Sequence, residues 1–366
     1  MSTIPPTDPS PYRGQAAAPP QVIIQQQAPT AFGRYGKLLL VLLGICVMVI
    51  IGQNASYQKY FSPADAPQEK YHSLSKEATD KVAIIRVEGT ILDPDGFVKK
   101  QIDRVREDND VKAIVLRVDS PGGTVTASDY LYHELKELVK DREIPMVVSM
   151  GSICASGGYY LAMAGGEQKT QEDVIFAEPA TWTGSIGVVI PHYDVSELLT
   201  SWKVKDDSVA SHKYKLMGSP TRDLSPEERA EERKLLQTLV DQSFARFKTI
   251  VEAGRPKLKG NEAELKKATT GQIFTAEQAQ ELGLIDKIGF MEAAIERAAE
   301  LAGKETDNLR CVEYNKPPSP LTALLGADSQ LLPQRSSLDF AGVLDLTAPR
   351  AYYLCTWLPA ILSNSR

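Results

Sequence analysis

Ser156 is the residue whose setting most plainly suits chemistry. It ends an apolar run and is flanked by Ala155 on one side and by Gly157 and Gly158 on the other. Small neighbours leave room for a substrate carbonyl to approach the hydroxyl. Upstream, the β-branched run Val111–Val118 leads into Ser120, Pro121, Gly122 and Gly123. Such a turn can point backbone N–H groups outward as anion donors. A nucleophile and an oxyanion hole are sketched together.

A serine hydroxyl is a weak nucleophile at neutral pH and needs an adjacent base, most often His and sometimes Lys. The four histidines, His72, His133, His192 and His212, form no obvious triad with Ser156. His72 follows the N-terminal apolar run, and His133 falls inside a helical pattern. His212 stays in reserve because it adjoins Lys213 and Lys215, the lysines of the segment Ser208–Arg229. A lysine between Tyr214 and Leu216 would ordinarily lay its stem on apolar surface and keep its amine in water. To accept a proton it must be neutral, so its free pKa of ~10.4 has to fall through burial or a neighbouring cation. On a strand Lys213 and Lys215 would share a face.

The motifs DSPGG, ASGGYY, TGSIGV, YKLMGSPTR and GQIFTAEQAQELGLID occur in that order. With this order the chain resembles the signal peptide peptidase A family of Ser-Lys membrane proteases, over about Lys81 to Leu301. The resemblance implies a Clp protease/crotonase-like α/β fold with Ser156 as nucleophile and Lys215 as general base. It also implies that Ser185 holds the lysine, and that the amides of Gly157 and of Gly122 or Gly123 form the oxyanion hole. Lys213 remains an alternative base, since Leu216 follows Lys215 where a polar residue is usual. Implied partners are signal peptides already cleaved from their proteins, other apolar membrane peptides, the membrane itself and copies of the chain. The copies would form a ring, an octamer, in which one subunit's serine meets the next one's lysine.

The elements that would position these residues alternate. Strand-like runs at Val82–Val87, Ala113–Val118 and Met146–Met150 are separated by helical patterns at Phe97–Arg106 and Ala127–Lys140. A further helix opens near Ser156, which would then gain the partial positive charge of a helix N-terminus. This is the βαβ rhythm of a layered α/β domain. Ser225, Pro226, Glu227 and Glu228 begin a long helix to about Ala253, and Thr275 caps a short one that ends at Gly283. A short helix is expected over Val195–Trp202, and the stretch Ala164–Val174 reads as an enlarged loop.

Residues 1–34 are Pro- and Gln-rich and predict a disordered tail. Leu38–Gly52 is an apolar run of 15 residues, short for a span of ~20 but extendable, which predicts a transmembrane anchor over 35–54. The competing reading, a cleavable signal peptide, has an overlong leading segment and a poor cleavage site. Arg34 and Lys37 precede the run, so the positive-inside bias puts the N-terminus in the cytoplasm. The chain would then be a single-pass inner-membrane protein with its catalytic domain in the periplasm. Residues 55–79 read as a polar stalk, 80–303 as the peptidase domain and 304–366 as an extension of open role.

The whole chain has 366 residues, 43% of them hydrophobic, and a net charge of −6, which gives no reason to invoke nucleic acid. Cys46, Cys154, Cys311 and Cys355 lack the spacing of a zinc site, and a pairing of Cys311 with Cys355 stays open. No GxxxxGK[ST] motif appears, so neither ATP nor another cofactor is expected. The competing functional reading is a non-catalytic scaffold, or a crotonase-like acyl-CoA enzyme using the same two loops on a thioester.

Overall fold

The computed structural model describes residues 31–61, 66–167, 172–317 and 352–354. The chain divides into two units, Met1–Pro63 and Ala64–Arg366. The described part of the first is one helix, α1 (Ala31–Phe61), whose apolar side chains from Leu38 to Ile51 are exposed. Among the described residues no helix is long and apolar enough to cross a membrane. A helix is present over the expected 35–54. Of the disordered tail expected over 1–34, residues 1–30 lie outside the described ones.

In the second unit the elements follow in the order β1 (Gln68–Leu74), β2 (Lys81–Glu88), α2 (Phe97–Glu107), β3 (Val111–Ser120), β4 (Gly122–Thr124) and α3 (Val125–Arg142). Next come β5 (Met146–Ala155), α4 (Gly157–Gly166), β6 (Ile175–Ala177), β7 (Trp182–Gly184) and α5 (Ser196–Ser201). After these come α6 (Pro226–Gly254), α7 (Glu262–Ala268), β8 (Ile273–Thr275), α8 (Ala276–Glu281) and β9 (Lys287–Ile288). The series closes with α9 (Met291–Leu301), β10 (Arg310–Asn315) and β11 (Tyr352–Leu354).

The main sheet runs β1-β10-β2-β3-β5-β6-β9, parallel from β10 onward, with β7 and β8 continuing from the far end of β5. Its central strands carry consecutive apolar residues, Val82–Ile85, Ala113–Leu116 and Met146–Val148, because both faces are covered. On β2, Ala83, Ile85 and Val87 join the core beneath α2, α3, α4 and α6. Their alternates Val82 and Ile84 meet Ala294, Ile295 and Ala298 of α9 on the opposite face. This period of 2 is what distributes one strand between two cores.

The βαβ rhythm is present as expected, and both predicted caps close as capping boxes, Ser225 with Glu228 and Thr275 with Gln278. The limits differ. β1, inside the expected stalk, pairs antiparallel with β10, and β10, inside the expected extension, pairs with β2. The folded unit thus takes in residues on both sides of 80–303. β1 is a polar edge strand whose first four residues are exposed, so no apolar alternation marks it. Around the expected loop, α4 runs to Gly166 and residues 168–171 lie outside the described ones.

Candidate active site

β5 aims Ser156 by changing partners along its length. Val148–Met150 pair with β6, whereas Ile153–Ala155 pair with β7. Two buried threonines pin the change: Thr181 Oγ1 donates to Gly151 O at 2.7 Å and Thr183 Oγ1 to Cys154 O at 2.7 Å. Ser156 follows at once, with φ 54° and ψ −115°, and α4 begins at Gly157. Only glycine adopts that pair of angles readily, so the turn is strained at a serine. It is held by Ser156 N–H donating to Gly184 O at 2.8 Å and by Tyr160 N–H donating to Ser156 O at 2.9 Å. The residue is 1% exposed, and its Oγ has no hydrogen-bond partner. A buried polar atom without a partner is uncommon and calls for an explanation.

The two glycine loops meet at this hydroxyl. A Cβ on Gly157 would fall 3.0 Å from Gly123 N and 3.1 Å from Gly122 Cα, so a larger residue would have to push the two loops apart. Gly122 has φ +105°, and its N–H donates to Ser120 Oγ at 3.1 Å. Ser120 Oγ in turn donates to Gly89 O at 2.6 Å, which fixes the turn. Of the alternatives Gly122 and Gly123, the first gives its amide to Ser120 within the turn, and the second lies opposite Tyr353 of β11. Gly123 N–H and Gly157 N–H lie side by side at the N-terminus of α4, an arrangement able to bind an anionic oxygen.

Ser185 follows Gly184 directly and is buried, with φ 49°, and its N–H donates to Gln272 O at 2.7 Å. It therefore neighbours Ser156 through the Ala155–Gly184 pairing. Lys215 does not join them. It is exposed in a 3-10 turn, Lys213–Leu216, and among the described residues no hydrogen bond or ion pair joins its amine to Ser156 or Ser185. In this 3-10 turn Lys213 and Lys215 do not share a face, as they would have done on a strand. Lys213 pairs with Glu231 at 2.7 Å and lies over the Tyr214 ring. The hydrogen bond to Glu231 raises its pKa above that of an ordinary lysine, the wrong direction for a base. Among the described residues Lys215 has no such carboxylate.

The other candidates fall away for physical reasons. His212 caps the 3-10 turn by accepting from Tyr214 N–H, and neither it nor any other histidine bonds to Ser156 Oγ. Burial pushes the Cys154 thiol far up, so its thiolate, the nucleophilic form, is suppressed. Cys311 is a free thiol that burial raises to about 12, and its suggested partner Cys355 lies outside the described residues. Sequence reasoning missed Ser120, Ser128 and Tyr353. Ser128 Oγ is a second buried hydroxyl without a partner, and a Cβ on Gly157 would fall 2.5 Å from it. Tyr353 stacks on Tyr160, four residues beyond Ser156, and no local pattern in the tail signals that long-range contact.

Comparison with known proteins identifies the family of the chain. The model of Peptidase family S49 matches residues 139–305. The candidate protease slr0021 of Synechocystis is 37% identical over 253 residues, 69% of this chain and 85% of that one. Protease 4 of Salmonella typhi is 35% identical over 229 residues, covering 60% of this chain and 34% of its own length. Serine protease SPPA, chloroplastic, of Arabidopsis thaliana is 31% identical over 262 residues, covering 67% of this chain and 36% of its own. The chain thus spans about a third of the length of the last two. With most of slr0021 covered, and with the motif order DSPGG, ASGGYY, TGS and YKLMGSP standing in one fold, the chain belongs to peptidase family S49, the signal peptide peptidase A family.

Proposed function

We propose that the chain is a serine endopeptidase with Ser156 as nucleophile and Lys215 as general base, cleaving signal-peptide remnants and other membrane-associated peptides. The observation that carries this reading is Ser156 itself, strained, buried and unpartnered beside Gly123 and Gly157. Ser156 Oγ attacks the peptide carbonyl carbon while Lys215 Nζ takes its proton. The carbonyl oxygen becomes an oxyanion held by the N–H groups of Gly157 and Gly123. On collapse the C–N bond breaks, and Lys215 returns the proton to the leaving amine. Water then attacks the acyl-serine with Lys215 again as base, releasing the acid and restoring Ser156. Losing one oxyanion donor typically costs about 10²–10³ in rate.

Lys215 is exposed and apart from Ser156 in its own chain, while Ser185 neighbours the serine. Both facts favour a lysine supplied by an adjacent subunit, to which Ser185 would offer its hydroxyl. The acyl-CoA alternative draws no support from the family, and α4 bears no extra cation for a phosphate. A fluorophosphonate probe tests the reading. It should label the wild type and Lys213→Ala but not Ser156→Ala, and peptide hydrolysis should vanish in Lys215→Ala while Lys213→Ala retains it. Normal turnover in Lys215→Ala would end the assignment of the base.

Anchoring through α1 is part of the proposal. The stretch Leu38–Gln58 carries no charge over 21 residues, ~31 Å of helix, although Gln53, Asn54 and Gln58 dilute its lower end. With Arg34 and Lys37 on the N-terminal flank, the catalytic unit would lie outside the inner membrane. Protease added to intact spheroplasts should digest the catalytic unit and spare an N-terminal tag; the reverse pattern overturns this orientation.

A further inference from the structure

α6 is unusual in what it buries. Its buried residues are Glu232, Phe247, Ile250, Val251 and Gly254, so before Phe247 the helix withdraws a single residue from water, and that residue is a carboxylate. A glutamate is rarely buried unless it is paired. Glu232 is paired through both oxygens. Oε1 accepts from Arg222 Nη1 at 2.6 Å, and Oε2 accepts from the N–H of Gly218 at 3.2 Å. Arg222 Nη1 also donates to Leu216 O at 3.4 Å. The pair therefore grips the main chain at Leu216 and at Gly218, directly after Lys215.

Core packing does not hold the turn that carries the lysine, because none of Lys213–Leu216 is buried. Its own bonds are local: Lys215 N–H donates to His212 O at 3.0 Å and Met217 N–H to Tyr214 O at 3.2 Å. So short a 3-10 run has poor hydrogen-bond geometry and needs support from outside. α6 supplies it with two consecutive glutamates, which point about 100° apart around the helix. Glu231 takes side chains, accepting from Lys213 Nζ at 2.7 Å and from the Tyr214 hydroxyl. Glu232 takes the main chain. Gly218, buried and with φ +77°, makes the bend between them, a conformation that glycine adopts without strain. The residues on either side of Lys215 are thus tied to α6, directly or through Arg222, while Lys215 itself stays exposed.

Resting on the peptidase reading above, we propose that Glu232 and Arg222 are positioning residues for the base. They act through Lys215, by fixing where its Cα stands on the surface of the subunit. A general base must come within about 2.6–3.2 Å of the hydroxyl it deprotonates, and a lysine covers the distance on a flexible four-carbon stem. With the backbone held by Glu232 and the amine received by Ser185, both ends of that stem are defined. A buried ion pair is weak support for stability, and fixing a geometry is the better use for one. The stakes are large, since a misplacement of about 1 Å can cost about 10² in rate.

The test uses the full chain with substitutions at the two residues. Glu232→Gln keeps an oxygen for Gly218 N–H and gives up the ionic bond to Arg222, whereas Glu232→Ala gives up both. On one peptide substrate kcat should fall about tenfold in Glu232→Gln and about a hundredfold in Glu232→Ala, with KM unchanged. Arg222→Lys, which keeps the charge, should retain more of kcat than Arg222→Ala. Amide hydrogen exchange should quicken over residues 213–219 in Glu232→Ala and keep its wild-type rate over residues 150–160, around Ser156. If Glu232→Ala does not fold, Glu232→Gln carries both readouts. Wild-type kcat in the Glu232 variants overturns the proposal. A rise in KM at constant kcat would make the pair a support of the peptide groove, and faster exchange around Ser156 as well would make it a support of the whole unit; either result overturns the proposal too. If the wild type hydrolyses no peptide, the peptidase reading fails, and exchange over 213–219 still decides whether Glu232 holds the turn.

Discussion

At the scale of single residues, the backbone of Ser156 says more than its side chain. Its φ of 54° and ψ of −115° suit the first central residue of a type II′ turn, a glycine position. Strain of this kind costs about 1–3 kcal/mol and persists at sites where geometry serves a task. Its Oγ makes no hydrogen bond, so removing it sacrifices none. Ser156→Gly should therefore abolish hydrolysis and make the protein about 1 kcal/mol more stable than Ser156→Ala, which keeps the strained Cβ. Thermal or urea unfolding of the two variants checks this; a Ser156→Gly protein less stable than Ser156→Ala would show that the turn is relaxed. The serine and its glycines were legible in sequence because each is a local requirement: a small flank, a tight turn, an open amide. The engagement of the Gly122 amide was not, because it depends on the side chain of Ser120. Nor was the contrast between the two lysines, which rests on Glu231, 18 residues beyond Lys213.

At the scale of elements, the strands that carry the site were legible and the strands that frame it were not. β2, β3 and β5 announce themselves as β-branched runs because the sheet is covered on both faces. β1 and β10 find each other from opposite ends of the unit, and β11 is three residues whose pairing depends on a distant glycine turn. A different long-range tie holds β6 against the end of α6. Asp286 accepts from Arg255 Nη2 at 2.6 Å and from the N–H groups of Val174 and Ile175 at 3.0 and 2.9 Å. Burial pushes this carboxyl up, but the Arg255 hydrogen bond and charge and the two amides outweigh it, so its folded pKa lies below the ordinary 3.8. A depressed carboxyl contributes stability that is complete above its unfolded pKa and is lost as pH falls through the folded one. Asp286→Asn should thus destabilise by about 3 kcal/mol at pH 7, since it leaves the buried Arg255 unpaired, and by less below pH 3. Urea unfolding at the two pH values reads the difference; an equal loss at both would mean the ion pair is not the source.

At the scale of the whole molecule, what matters is the separation between a preformed serine site and an exposed lysine. Ser156, Gly123, Gly157 and Ser185 converge within one subunit through β5, β7 and the turn before β4. Lys215 sits in a short turn, and the segment that leads to it in sequence carries exposed apolar residues, among them Tyr193, Trp202 and Val209. Isolated exposed apolar residues are ordinary, but several on the segment leading to the lysine fit a surface that a neighbouring copy covers. A head-to-tail ring allows this because each subunit presents two different faces. Mixing measures it. Ser156→Ala and Lys215→Ala chains, each inactive alone, should on random one-to-one assembly regain about a quarter of the wild-type sites, since one junction in four pairs an intact serine with an intact lysine. Sites completed within one chain would regain none. Zero activity in verified mixed oligomers would therefore reject the shared site while leaving Ser156 and Lys215 in their roles. A quarter recovered would explain why the lysine stands apart from its serine in the single chain.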